Sequence, residues 1–104
     1  MLHVVATIAL HPGTREPFLR EFLAIVPDVR AEDGCLEYGA AVDLSTGLAA
    51  QPPVRSDVVV VVEKWRDLAA LQAHLVAPHM MAYRERVKDL VATVELQVLA
   101  PVEG

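Results

Sequence analysis

Five consecutive valines, Val58–Val62, are the feature that most constrains the fold of this chain. β-Branched residues favour strands, and a run without polar residues on either side of the pleat predicts a strand that is buried on both faces. The run leads through Trp65 to Asp67, which is a predicted helix N-cap. We therefore expect a central strand, Val58–Trp65, that passes directly into a helix.

The N-terminal segment predicts a second buried strand followed by an amphipathic helix. Leu2–Leu10 alternates with a period of two, and both sets of residues are largely apolar. Thr14 is then a plausible N-cap for a helix whose apolar face recurs at i, i+4, i+8 and i+11, namely Phe18, Phe22, Val26 and Val29. Pro27 removes one hydrogen bond from this helix, and we expect a bend there because Val29 keeps the periodicity.

The remaining segments complete a recognisable order of elements. After a turn at Glu32–Gly34, the patterns predict a strand, a long loop, two helices separated by Pro78 and a last strand: Cys35–Asp43, Ser45–Ser56, Asp67–Pro78, Pro78–Val91 and Thr93–Leu99. The order is β-α-β-β-α-α-β. This is the ferredoxin-like plan of the α+β class, with a four-stranded antiparallel sheet and helices on one face.

The apolar content of the strands predicts an oligomer. Residues 1–104 form a single domain at this length, and the apolar fraction of the chain is 54%. Helices cover one face of the predicted sheet, yet the strands are apolar on both faces. The simplest cover for the second face is the sheet of another copy, which predicts a homodimer that packs sheet face to sheet face.

Charge and cysteine content exclude several classes of partner. The net charge is −5, and the nine Lys and Arg residues form no stripe, which argues against nucleic acid and against anionic membrane surfaces. The single Cys35 fits a reducing compartment, and Met1–Leu10 alternates instead of forming an apolar signal. We expect a soluble, cytoplasmic protein that binds neither nucleic acid nor membranes.

Three short motifs carry a family resemblance. The chain contains G-C-L-x-Y at Gly34–Tyr38, E-x-W at Glu63–Trp65 and A-H-L-x-x-P-H at Ala73–His79. With the order of elements, these motifs resemble the antibiotic biosynthesis monooxygenase (ABM) family of dimeric α+β barrels over roughly Leu2–Leu99. The resemblance implies a monooxygenase that acts on an aromatic quinol or polyketide-like small molecule without a cofactor or metal. Because the family also includes proteins without assigned activity, the alternative is a non-catalytic dimer that binds a small molecule or haem.

Oxygenation without a prosthetic group requires a base, a stabiliser for the substrate anion and a dry cavity. His74 is the candidate base, and the resemblance implies that Trp65 is the family's catalytic Trp. The candidate residues for substrate binding are Tyr38, His79, Tyr83, Glu63 and Thr7. The resemblance also implies an Asn–Trp–His trio in some members, but this chain has no Asn. Thr7 is the nearest polar candidate for the place of that amide.

Each candidate also has a purely structural interpretation. His74 could be satisfied by a backbone carbonyl at the helix junction, and His79 could cap or bridge the two helices. Trp65 could plug the end of the barrel. Glu63 could be an acid of raised pKa or could form a salt bridge at the dimer interface. Arg84 could hold an acidic substrate or lie on a solvated helix face.

Overall fold

The computed structural model describes residues 1–103. The chain forms four strands and three helices in the predicted order: β1 (Leu2–Leu10), α1 (Arg15–Arg30), β2 (Cys35–Ala41), β3 (Val58–Trp65), α2 (Leu68–Leu75), α3 (Pro78–Val87) and β4 (Val91–Leu99). The strands form one antiparallel sheet in the order β2-β3-β1-β4. The predicted α+β class and the predicted four-stranded antiparallel sheet are confirmed.

The core lies between the helices and one face of the sheet. On β1 the even-numbered residues from Val4 to Leu10 are buried, and on β3 the odd-numbered residues from Val59 to Trp65 are buried. The apolar face of α1 packs onto these strands through Phe18, Phe22, Ile25, Val26 and Val29. The helix continues through Pro27 to Arg30.

The opposite side of the sheet, which we call the open face, has no helix over it. The register of β1 and β3 places there Val5, Thr7, Ala9, Val58, Val60 and Val62. Val62 is 45% exposed, although valine is a strongly apolar residue. The central strands β1 and β3 are therefore largely apolar on both sides, with helices on one side, as the alternation in the sequence predicts.

Local details differ from the prediction in one helix, in one strand and at one cap. Thr14 occupies the N-cap position of α1, but its hydroxyl donates to the carbonyls of His11 and Leu90 instead of capping the helix. The third helix ends at Val87 rather than at Val91, which already pairs with β1. The second strand ends at Ala41 rather than at Asp43.

A bulge in β2 changes which residues share a face. Strict alternation predicts that Cys35 and Tyr38 point to opposite sides. The register shifts between Cys35 and Glu37, so that Cys35 pairs with Trp65 and Tyr38 pairs with Glu63. Because directly paired residues lie on the same side of a sheet, the bulge turns Tyr38 toward the helices.

Candidate active site

A cavity of about 410 Å³ lies between the helices and the sheet. Its walls are mostly apolar, with residues from β1, β4, α1 and α3, and four buried polar residues interrupt them: Tyr38, Glu63, His74 and Tyr83. Two cationic residues, Arg84 and Lys88, also line it. An apolar cavity with a few converging polar groups is the usual form of a small-molecule site.

His74 on α2 presents one ring nitrogen to the cavity. The residue is 2% exposed, and its Nδ1–H donates to Glu32 Oε2 at 2.9 Å. Among residues 1–103, Nε2 of His74 has no hydrogen-bond partner, and it is not one of the polar atoms that are closed off from solvent. Because His74 lines the cavity, we infer that Nε2 opens into it. An ionised carboxylate only accepts hydrogen bonds, so the neutral ring carries its proton on Nδ1 and its lone pair on Nε2.

The pKa of His74 lies below its ordinary value. Burial disfavours the imidazolium and lowers the pKa, whereas the hydrogen bond from Nδ1 to Glu32 and the charge of Glu32 act in the opposite direction. The ring is consequently neutral at pH 7 with Nε2 free to accept a proton. The structural interpretation of His74 predicts a backbone carbonyl as its hydrogen-bond partner. In the structure the partner is the carboxylate of Glu32.

Glu32 is a site residue that inspection of the sequence missed. Its Oε2 also accepts a hydrogen bond of 2.8 Å from His79 Nε2–H, so one carboxylate joins two histidines. The side chain of Glu32 is 13% exposed, and His79 does not line the cavity. His79 therefore connects α3 to the turn after α1, which resembles the bridging role of its structural interpretation. It is connected to the cavity through its hydrogen bond with Glu32.

The turn that carries Glu32 is held tightly against α2. Gly34 has φ +82°, and a Cβ atom there would lie 2.5 Å from Ala70 Cβ, so this position requires glycine. The backbone N–H of Arg66 donates to the Gly34 carbonyl at 2.8 Å. The Arg66 guanidinium also forms two hydrogen bonds with Asp33, of 3.0 and 3.2 Å. These contacts fix the position of Glu32 beneath His74.

Trp65 and Glu63 form a pair at the end of β3. The indole Nε1–H of Trp65 donates to Glu63 Oε1 at 2.8 Å, and the Trp65 and His74 ring centroids are 4.6 Å apart. Trp65 is fully buried and does not line the cavity. Its indole thus packs behind His74 and orients Glu63, which does line the cavity.

Glu63 combines deep burial with a single hydrogen bond from a neutral donor. It is 4% exposed, and among residues 1–103 it has no cationic partner. Burial raises the pKa of Glu63 to about 7, the Trp65 hydrogen bond lowers it, and the charge of Glu32 raises it. The carboxyl group is therefore close to half protonated at neutral pH, which suits a group that exchanges protons.

Tyr38 on β2 and Tyr83 on α3 supply hydroxyl donors to the cavity. The Tyr38 ring stacks on Phe22 at a centroid distance of 5.4 Å, and Tyr83 meets Phe22 edge-on at 6.4 Å. Burial raises the pKa of both phenols above their ordinary value. Both hydroxyls stay protonated at neutral pH and can donate to an anionic oxygen.

The structure separates the seven predicted site residues into three groups. Tyr38, Glu63, His74 and Tyr83 line the cavity, whereas Trp65 and His79 contact this set from behind. Thr7 belongs to neither group, because the register of β1 puts it on the open face opposite Val60. Thr7 therefore does not line this cavity.

Among residues 1–103, no three His, Cys, Asp or Glu side chains are grouped so that they could hold a metal ion. Within the same range, no helix has both the length and the apolar character needed to cross a membrane.

The fold and the cavity define a class of small α+β proteins with an apolar cavity beneath the helices. The antibiotic biosynthesis monooxygenase family matches residues 1–86, and the chain belongs to this family. It is 41% identical to the "Probable quinol monooxygenase YgiN" of Escherichia coli K12, over 97% of this chain and 98% of that protein.

Solved structures agree with this assignment. PA3566 from Pseudomonas aeruginosa superimposes with a TM-score of 0.81 at 31% identity and covers 98% of this chain and 94% of its own. Rv0793 from Mycobacterium tuberculosis gives 0.79 at 29% identity, with 99% and 96% covered. The predicted family is confirmed.

Proposed function

We propose that this protein is a monooxygenase that oxidises an aromatic quinol or a related phenolic polyketide without a prosthetic group. The observation that carries the proposal is His74, whose Nδ1–H is held by Glu32 while Nε2 opens on an apolar cavity. Family membership and the name of the Escherichia coli relative support the same reaction class. The overall change is a hydroquinone plus O₂ giving a hydroxyquinone plus water, which balances atoms and electrons.

The first step of the proposed reaction is removal of a phenolic proton by His74 Nε2. The quinolate that forms is electron-rich enough to pass an electron to O₂, so the substrate itself supplies the reducing power. Glu32 stabilises the imidazolium because its carboxylate accepts the Nδ1–H, as in other carboxylate–histidine pairs. General base catalysis of this kind contributes typically about 10²- to 10⁴-fold to the rate.

The second requirement is stabilisation of the anion and of reduced oxygen. The hydroxyls of Tyr38 and Tyr83 can donate to the quinolate oxygen, and the apolar walls strengthen these hydrogen bonds by excluding water. Glu63, with a pKa of about 7, can deliver a proton to the departing oxygen atom of the peroxide intermediate as water forms. Trp65 keeps Glu63 oriented through its indole N–H.

An oxygen electrode tests this proposal. Purified protein is assayed with a panel of reduced naphthohydroquinones and anthrones, each corrected for its uptake in buffer. We expect enzyme-dependent oxygen uptake that saturates with at least one of these substrates. Uptake equal to the buffer rate across the panel, together with a ligand-induced rise in Tm, would favour the non-catalytic binding protein instead.

Replacing Glu32 with Gln tests the positioning of His74. The amide can accept a hydrogen bond from a protonated Nδ1 or donate one to an unprotonated Nδ1, so it no longer selects one tautomer or offsets the imidazolium charge. We expect kcat to fall about 10-fold, with KM changed less than 2-fold. We also expect the acidic limb of the pH–kcat profile to move to lower pH, because the carboxylate no longer raises the pKa of His74. The matched control is Glu37→Gln, an exposed glutamate paired with Lys64, which should leave kcat unchanged.

The open face supports the predicted homodimer. We propose that two copies pack through this face, because Val5, Val60 and Val62 are apolar and have no helix over them. We also propose a cytoplasmic location, in keeping with the single unpaired thiol of Cys35.

Placing a charge on the open face should dissociate the dimer. Val62→Glu buries an unpaired carboxylate in the proposed interface, which costs several kcal/mol, so we expect a monomer by sedimentation equilibrium at micromolar concentration. Leu23→Glu changes an exposed leucine of α1 and should remain dimeric. A wild-type monomer at that concentration would contradict the proposed interface.

A further inference from the structure

The cavity has a cationic mouth in an otherwise acidic protein. Arg84 on α3 and Lys88 directly after it both line the cavity, and both are exposed where it meets solvent. They lie four residues apart, so they project from the same side of the helix. The chain as a whole carries a net charge of −5, so two cations at this entrance stand out from their surroundings.

The neighbouring ion pairs leave Arg84 available for a ligand. Arg86 of α3 donates to Glu21 at 2.9 Å, and Lys88, directly after α3, donates to Glu85 at 2.6 Å. Among residues 1–103, Arg84 forms no hydrogen bond or ion pair with another side chain. The pair with Glu85, three residues earlier, gives Lys88 a partner within the chain, whereas Arg84 has no such partner.

We propose that the substrate carries a carboxylate at the end remote from the reacting phenol, and that Arg84 binds it at the cavity mouth with Lys88 beside it. The substrate class is therefore an acidic phenol or hydroquinone with a fused aromatic system. A guanidinium binds a carboxylate through two parallel hydrogen bonds, and an ammonium adds a point charge. The phenol end lies against His74 and Glu63, and the apolar walls hold the rings between the two ends.

This inference rests on the proposed function for the orientation of the phenol, but its test requires only binding. The probes are 6-hydroxy-2-naphthoate, which has a phenol and a carboxylate at opposite ends, and its methyl ester, measured by isothermal titration calorimetry. We expect the acid to bind wild-type protein at least about 10-fold more tightly than the ester. This preference should shrink as ionic strength rises, because the mouth is exposed.

Three variants locate the preference. Arg84→Gln should weaken binding of the acid at least about 10-fold and of the ester less than 2-fold, and Lys88→Gln should cause a smaller selective loss. Arg86→Gln, on the same helix and outside the cavity lining, is the matched control and should bind both probes like wild type. The inference would be overturned if wild-type protein bound the acid and the ester equally well, or bound neither. It would also be overturned if Arg84→Gln and Arg86→Gln lost the same affinity. Absence of oxygen uptake with preserved acid selectivity would overturn the proposed reaction alone.

Discussion

The substitution His74→Asn is expected to lower kcat for quinol oxidation by at least about 100-fold, because it removes the proposed base. The Asn side-chain amide reaches about as far as imidazole Nδ1, so its N–H can keep the hydrogen bond to Glu32. The group that opens on the cavity, Nε2, has no counterpart in Asn. The loss should therefore appear in kcat, with KM changed less than 3-fold, in steady-state oxygen uptake.

The control for this variant is His11→Asn. His11 is exposed in the turn before α1, and its hydrogen bonds within residues 1–103 use backbone atoms alone. It should retain wild-type kcat, and circular dichroism should give the same secondary structure for both variants and wild type. Wild-type turnover in His74→Asn would assign proton removal to another group, of which Glu63 is the nearest alternative in the cavity.

The substitution Glu63→Gln is expected to stabilise the folded protein by about 3 kcal/mol at pH 8 and to have little effect at pH 4. Burial raises the folded-state pKa of Glu63 from 4.5 to about 7. Each pKa unit corresponds to about 1.4 kcal/mol. A raised carboxyl pKa means that the folded state holds the proton more tightly than the unfolded state. Its favourable contribution is complete below about pH 4.5 and is lost as pH rises to about 7.

Urea unfolding at pH 4, 6 and 8 measures this difference. All samples should have the same protein concentration, because dimer formation makes stability concentration-dependent. The Gln side chain can still accept the Trp65 indole hydrogen bond, so packing changes little. Glu16→Gln, at an exposed position in the first turn of α1, should change stability by no more than about 0.5 kcal/mol. A Glu63→Gln effect that is independent of pH would contradict a raised pKa.

The fold followed from the sequence because its strongest signals are local. The valine run of β3, the N-cap Asp67, whose carboxylate accepts the Ala70 N–H at 2.9 Å, and Pro78 at the start of α3 each act within a few residues. The bulge after Cys35 is different. The alternation of residues within β2 does not predict the bulge, because the shift in register depends on how β2 pairs with β3.

The candidate site was predictable only in part, for a related reason. Glu32 and His74 are 42 residues apart in sequence, and Glu32 lies in a turn whose other residues are typical of turns. Its role emerges only when α2 packs over that turn. Thr7 was a candidate as the nearest polar residue for the place of the Asn that the resemblance implies. Both sets of β1 residues are largely apolar, so the pattern does not show whether Thr7 lies on the helix side or on the open face. The chain also has no Asn, so its cavity relies on phenol, carboxyl and imidazole groups.

The most direct test of the central claim is a single-turnover reaction under ¹⁸O₂. The protein is first dialysed to remove metals and flavins, and their absence is verified by elemental analysis and by absorbance. A naphthohydroquinone that supports oxygen uptake is mixed with excess protein, and the product is analysed by mass spectrometry. We expect a hydroxylated quinone that contains one ¹⁸O atom, formed at least about 100-fold more slowly by His74→Asn. A product without ¹⁸O, or equal rates for the two proteins, would contradict a His74-dependent monooxygenase.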